Sequence, residues 1–161
     1  MPSPALHSVP VAPMRYLAID PGAKRTGLAV GDDHTRIATP AGAISTTNSA
    51  ERLRQIAVAI AKHGPDALVV GLPLDMSGAA GPAAEKARAF AGELRRRFGL
   101  PVHLVDERLT SYAADTQMSQ SGLTHRGKKQ RRDALAAAAI LRDFLERTET
   151  KSEERGARSE E

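Results

Sequence analysis

The chain has 161 residues, of which 41% are hydrophobic and only 3% are aromatic. This length predicts one domain of ordinary size with an aliphatic core, and the scarcity of aromatic side chains argues against binding through base stacking. The sequence has no cysteine, which excludes disulfides and thiolate chemistry, and its formal charge of +4 favours a polyanionic partner. No apolar run approaches the roughly 20 residues that span a bilayer, so we expect a cytoplasmic protein without membrane contact.

Two segments that are predicted to be disordered frame one predicted domain. Residues 1–13 are rich in proline and lack the basic start of a secretory signal, which predicts a disordered leader. Residues 148–161 are almost wholly charged and polar, which predicts a disordered tail. The folded unit is therefore predicted to cover residues 14–147.

The first half of this unit is typical of an antiparallel meander followed by a helix. Strands are predicted at 15–20, 26–30 and 36–44, and Pro40 marks an edge or a bulge in the third. The helix begins after one of three cap candidates, and its apolar residues recur at helical spacing. The cap candidates are Thr47, Asn48 and Ser49, and the apolar residues are Leu53, Ile56, Ala57 and Ile60.

The second half predicts a different connectivity, in which strands alternate with helices. A buried strand at 67–71 is followed by a loop at 71–78, a helix at 83–98 and a last strand at 102–105. A helix from Thr110 or Ser111 to about Gln120, a loop at 121–132 and a final helix at 133–147 complete the chain. Strand–helix–strand units imply right-handed parallel crossovers. The predicted fold class is therefore α/β, with a mixed sheet of a three-strand meander plus parallel strands, flanked by helices.

Three carboxylates stand at the ends of predicted elements. Asp20 ends the first strand, Glu107 follows the last strand, and Asp133 opens the final helix. The ends of paired parallel strands lie side by side, so we expect these acids to gather at one sheet edge, where a divalent cation would relieve their repulsion. Such a site can hydrolyse a phosphodiester, because cations held by carboxylates activate water and neutralise the phosphoryl charge. Asp106 is an alternative to Glu107 as the ligand from this strand. Adjacent residues of a strand point to opposite faces, and the sequence does not show which of the two faces the site.

Each acid also has a purely structural explanation. Asp20 could stabilise the turn that follows it, and Glu107 could form a surface ion pair with Arg108. Asp133 could serve only as a helix N-cap, which is a common role for aspartate. Their joint placement at element ends, beside glycine-rich or basic segments, favours a shared function.

Basic residues accompany the acids in two places. The turn after Asp20 contains two glycines that allow close backbone approach and two cations. The predicted loop at 124–132 is strongly basic and would bind phosphates without reading bases, although such a run can also be merely solvated. By contrast, His103 lies inside an apolar strand and is predicted to be structural. The predicted nucleic-acid contacts are Lys24, Arg25, Arg108, Arg126, Lys128, Lys129, Arg131 and Arg132.

The chain resembles the YqgF/RuvX family in four ordered motifs between about Met14 and Leu145. These are Asp20-x-Gly22-x-x-Arg25-x-Gly27, Gly71-Leu72-Pro73 with Gly78, Asp106-Glu107-Arg108-Leu109-Thr110-Ser111, and Asp133-Ala134-x-Ala136-Ala137 with Ile140-Leu141. The resemblance implies a ribonuclease H-like fold and catalytic, metal-binding roles for Asp20, Glu107 and Asp133 with Mg²⁺ or Mn²⁺. Members are described as Holliday junction resolvases and as nucleases that process the 5′ end of the 16S ribosomal RNA precursor.

We therefore expect a metal-dependent endonuclease acting on structured nucleic acid, either precursor ribosomal RNA or branched DNA. The alternative is a nucleic-acid-binding module without catalysis, in which the acids are structural. A phosphate-binding domain of the actin and sugar-kinase type also opens with an Asp-x-Gly turn, but it needs two lobes, and one predicted unit of this length is too short. Junction cleavage needs two symmetric cuts, which would suit a homodimer.

Overall fold

The computed structural model of the protein describes residues 12–73, 81–106 and 125–159, and within the last segment the side chains of residues 127–148. Five strands form one sheet: β1 (Arg15–Pro21), β2 (Arg25–Asp32), β3 (Thr39–Ser45), β4 (Ala67–Leu72) and β5 (Val102–Asp106). The helices of these segments are α1 (Ser49–His63), α2 (Pro82–Phe98) and α3 (His125–Ser159). None of the described helices has the length and apolar character needed to cross a membrane.

The strand order is β3-β2-β1-β4-β5. The first three strands pair antiparallel, whereas β4 and β5 run parallel to β1, which confirms the predicted α/β class and mixed sheet. Pro40 lies on the edge strand, beside a register shift between Gly27 and Ala29, as its missing N–H requires. The third strand begins at Thr39 rather than at 36, because Arg36 has a φ of 57° that an extended strand cannot contain.

Each face of the sheet has its own apolar core. Helices α1 and α2 cover the face that carries Leu17 and Ile19 of β1, and α3 covers the face that carries Tyr16 and Ala18. Because side chains alternate along a strand, Asp20 belongs to the α3 face. The side chain of Asp20 therefore faces α3, whereas that of the preceding residue, Ile19, faces α1 and α2.

The caps of α1 and α2 follow from local chemistry. Among the three candidates the cap of α1 is Asn48, whose side chain accepts a hydrogen bond from the backbone N–H of Glu51 at 2.9 Å. Gly64 and Gly99 end the two helices in the left-handed region, with φ of 58° and 65°. The predicted end of α2 before Gly99 is therefore confirmed.

The prediction for the final helix was wrong at both ends. Residues from His125 onward, predicted as a loop, are already helical, and the helix continues to Ser159 through residues predicted to be disordered. Lysine, arginine, glutamine and glutamate are good helix formers, so a run of charges is compatible with either state. The buried stripe of α3 consists of Ala134, Ala137, Ala138, Ile140, Leu141 and Leu145, whereas Leu135 and Ala139 are half-buried. The helix predicted at 110–120 lies outside the described residues.

Candidate active site

Asp20 lies at the carboxyl end of β1, the central strand of the sheet. Its side chain is half-buried, and β4 separates β1 from β5. The expectation that the ends of β1 and β5 lie side by side was therefore wrong, since two strand spacings amount to about 10 Å. Gly71 of β4 lies between them on the α3 face and has no side chain to fill the space.

Gly27 is the cross-strand partner of Asp20 in the β1–β2 pair. A Cβ atom placed on Gly27 would overlap the backbone carbonyl of Asp133 and would lie 3.2 Å from the backbone nitrogen of Ala134. Helix α3 therefore crosses β2 with its main chain directly over this glycine. The crossing brings Asp133 to the same face and the same edge as Asp20, although 113 positions separate the two in the sequence.

The side chain of Asp133 is bound by Arg25, the first residue of β2. Arg25 Nε donates a hydrogen bond to Asp133 Oδ2 at 2.7 Å, and the two side chains are 32% and 24% exposed. Asp133 lies more than two turns inside α3, which excludes the alternative that it acts only as an N-cap. The pairing also joins two residues with different predicted roles, a phosphate contact and a metal ligand.

The alternation of side chains along β5 fixes the face of Asp106, the last residue of that strand. Val102 and Leu104 pack with the α1–α2 core, whereas Val105 packs under α3, so Asp106 belongs to the face opposite to Asp20. Glu107 and Arg108 lie outside the described residues. Within the segments that are described, no three acidic or histidine side chains form a group that could hold a metal ion.

Several predicted cationic contacts lie on the helical turns that precede Asp133 or in the turn after β1. Lys129, Arg131 and Arg132 are exposed and Lys128 is half-buried on the first turns of α3, and Lys24 is exposed in the turn after β1. Lys129 precedes Asp133 by one helical turn, which places both on one side of α3. The side chain of Arg126 is not among those described.

Sequence reasoning missed Arg52 of α1. Its Nη2 donates to the carbonyl oxygens of Gly22 at 3.1 Å and Ala23 at 3.3 Å, and so holds the turn that follows Asp20. The turn is also tight, since a Cβ on Gly22 would lie 2.5 Å from the carbonyl oxygen of Arg25. No motif or spacing relates Arg52 to this turn, so the sequence offers no signal for the contact.

The turn also borders a groove of about 670 Å³ between the amino ends of α1 and α2. Pro21 and Gly22 line one side of it, and Lys86 and Phe90 of α2 line the other. This groove opens on the face opposite to Asp133.

His103 of β5 lies beside two aromatic rings that contact each other on the α3 face of the sheet. Its ring centroid is 6.4 Å from that of Tyr16 and 5.0 Å from that of Phe144. His103 is exposed overall, but partial desolvation of its ring lowers the pKa of His103 below its usual value, and the positive charge of Arg95 lowers the pKa further. The imidazole therefore belongs to the packing of α3 on the sheet.

Comparison with known proteins gives a consistent assignment. Residues 14–147 match the family model described as "RuvX: Holliday junction resolvase". A relative from Anaeromyxobacter sp. (strain Fw109-5), named "Putative pre-16S rRNA nuclease", is 42% identical over 133 residues, which cover 83% of this chain and 97% of the relative. A relative of the same name from Moorella thermoacetica (strain ATCC 39073 / JCM 9320) is 40% identical over 134 residues, which cover 83% and 96% of the two chains.

Among solved structures, the chain is similar to the Fowlpox virus resolvase crystallised with its substrate Holliday junction DNA. The TM-score is 0.54 at 10% sequence identity, over 84% of this chain and 99% of the resolvase. This similarity concerns the fold alone, and the mixed sheet of this chain is ribonuclease H-like, as predicted. With the family match over most of its length, the chain belongs to the RuvX family of nucleases and resolvases.

Proposed function

We propose that this protein is a divalent-metal-dependent endonuclease that hydrolyses phosphodiester bonds of structured nucleic acid. In this proposal Asp20, Glu107 and Asp133 are the catalytic, metal-binding acids. The observation that carries it is the crossing of α3 over Gly27, which brings Asp133 beside the strand end that holds Asp20. Membership of a family of nucleases and resolvases supports the same reaction class.

The donor set fits Mg²⁺ or Mn²⁺. Carboxylate oxygens are the ligands that these hard cations prefer, and Mg²⁺ keeps several waters, so a few acids suffice. Both Asp20 and Asp133 are half-buried, and Arg25 engages only one of the two carboxylate oxygens of Asp133. When bound, the cation would neutralise charge on the phosphate and lower the pKa of a bound water.

The basic residues of the chain would hold the nucleic-acid backbone across this edge. Lys24 lies in the turn after β1 and Arg25 begins β2, so both are close in sequence to the strand end that holds Asp20. Lys129 lies one helical turn before Asp133 on α3. The remaining proposed contacts are Arg108, Arg126, Lys128, Arg131 and Arg132. Lysine and arginine bind phosphates without reading bases, which suits recognition of a folded shape rather than of a sequence.

We propose the 5′ end of precursor 16S ribosomal RNA as the first candidate substrate. The relatives with about 40% identity over nearly their whole length carry the words "pre-16S rRNA nuclease" in their names, and processing of the 5′ end is what the family resemblance implies. Holliday junctions are the second candidate, because the family description names them and the Fowlpox virus resolvase was crystallised with one. A homodimer belongs to the second candidate only, since two symmetric cuts need two active sites.

The test offers purified protein both substrates side by side, with Mg²⁺ and with Mn²⁺. We expect wild type to cleave one of them, and Asp20→Asn to lose at least about 100-fold in rate, because the substitution removes a cation ligand. Its binding to the substrate, measured without divalent cation, should stay within about threefold of wild type. Asp66→Asn is the matched control, because it makes the same substitution at an exposed residue just before the amino end of β4. This variant should cleave at the wild-type rate. If folded wild type cleaves neither substrate with either cation, the protein is a binding module instead.

A further inference from the structure

Arg25 interacts with a residue that the proposed function needs for a cation. Its guanidinium lies 2.7 Å from Asp133 Oδ2, in a pair that is about two-thirds shielded from solvent on the Arg25 side and three-quarters on the Asp133 side. A positive side chain and a divalent cation that share one carboxylate repel each other. Arg25 therefore opposes cation binding at Asp133 for as long as the guanidinium stays at this oxygen.

The contact leaves most of the guanidinium available for another anion. Only Nε donates to Asp133, and within the described parts of the chain the Arg25 side chain makes no other hydrogen bond. An arginine side chain has five N–H donors, so the four on Nη1 and Nη2 remain for a phosphate. A bound phosphate would share the positive charge that now acts on Asp133 alone.

We propose that Arg25 couples cation binding to nucleic-acid binding. In the absence of nucleic acid its guanidinium partly neutralises Asp133 and weakens the affinity of the site for a divalent cation. When a phosphate of the bound strand pairs with the guanidinium, the guanidinium neutralises Asp133 less. The cation therefore binds more tightly to the complex than to the protein alone. This inference rests on the proposed function, since it takes Asp133 as a cation ligand and Arg25 as a phosphate contact.

Linkage makes the proposal quantitative, because two ligands that promote each other do so by the same factor in both directions. Nucleic acid should raise the affinity for cation, and the cation should raise the affinity for nucleic acid equally. The affinity of the site for a divalent cation therefore stays low until a substrate is bound. Lys24, next to Arg25, has the same charge and no ion pair with Asp133, so it should contribute little to this coupling.

The experiment titrates Mn²⁺ into the full-length protein and follows unbound Mn²⁺ by electron paramagnetic resonance. Titrations are made without nucleic acid and with a phosphorothioate four-way DNA junction, which resists hydrolysis, and the Mn²⁺ bound by the junction alone is subtracted. We expect the junction to tighten Mn²⁺ binding to wild type by about five- to tenfold. Without the junction, Arg25→Gln should bind Mn²⁺ roughly three- to tenfold more tightly than wild type, because one opposing charge is gone.

Two further variants separate charge from shape. Arg25→Lys keeps the positive charge and should bind Mn²⁺ within about twofold of wild type, and Lys24→Gln should do so as well because its charge is exposed. Thermal unfolding of each variant confirms that it is folded. In Arg25→Gln the effect of the junction should fall below about twofold, because the shared guanidinium is absent.

The outcomes distinguish this inference from the proposed function. If Arg25→Gln binds Mn²⁺ as wild type does or more weakly, or if its coupling to the junction is unchanged, Arg25 does not oppose the cation and the inference is wrong. Wild type that cleaves nucleic acid in that case leaves the nuclease proposal standing. Wild type that neither binds Mn²⁺ nor cleaves overturns both.

Discussion

Gly27→Ala tests the packing that brings Asp133 to Asp20. Gly27 has no positive φ, so alanine meets no backbone penalty there, and the whole cost is steric. The added Cβ would overlap the main-chain carbonyl of Asp133, which cannot rotate away as a side chain could. Helix α3 would have to retreat by more than about 1 Å to restore an ordinary contact of roughly 3.5 Å.

The expected loss of stability follows from this geometry. Overpacking typically costs about 1–3 kcal/mol, and we take about 3 kcal/mol because the obstacle is backbone and α3 covers a whole face of the sheet. For a domain of this size that corresponds to a drop in melting temperature of roughly 10 °C. Cleavage, measured well below the melting temperature, should fall further than the folded fraction, because Asp133 moves relative to Asp20.

The matched control is Gly92→Ala in α2. There the added Cβ would lie 3.4 Å from Nη1 of Arg96, the end of a flexible side chain, so no strain is expected. Alanine is a better helix former than glycine, and this variant should gain up to about 1 kcal/mol. Calorimetry and urea unfolding of both variants measure the difference. If Gly27→Ala were as stable and as active as wild type, α3 would not cross the sheet at this glycine and the derived geometry of the site would be wrong.

Two other predictions concern pH and salt. The pKa of His103 is lowered in the folded protein, so the folded state favours the neutral ring: its contribution to stability is complete above a pH of about 6.5 and is lost as pH falls through the lowered pKa. His103→Phe should therefore make the urea midpoint of unfolding depend less on pH between about pH 7 and pH 5. A midpoint that changes with pH as steeply as in wild type would contradict this. Removal of the exposed charges of Lys129 and Arg131 on α3 should lower the slope of log affinity against log salt by about one for each phosphate that is no longer bound; an identical slope would exclude these residues from the interface.

The strands and helices could be located along the chain because each depends on a local pattern. The apolar runs of β1, β4 and β5 are short and bounded by turn residues, and Gly99 stops α2 wherever that helix packs. The predicted start of α3 was wrong because no local pattern marks it. A run of lysines and arginines is equally compatible with a solvated loop and with a helix, and burial of the alanine stripe further along favours the helix.

The candidate residues of the site were visible in the sequence, but their contacts were not. The motif that contains Gly22 and Gly27 indicated close backbone approach, and the structure brings α3 itself over Gly27. The ion pair of Arg25 with Asp133 joins positions 108 apart in the chain, and no local pattern encodes such a contact. The separation of β1 and β5 by β4 is likewise a property of the whole sheet.

The claim that Asp20 and Asp133 share a cation is tested most directly by anomalous diffraction from crystals soaked in Mn²⁺. We predict a manganese peak on the α3 face of the sheet, coordinated by carboxylate oxygens of Asp20 and Asp133, and its loss in Asp20→Asn crystals. A peak that contacts neither acid, in crystals of protein that cleaves nucleic acid with Mn²⁺, would contradict the account.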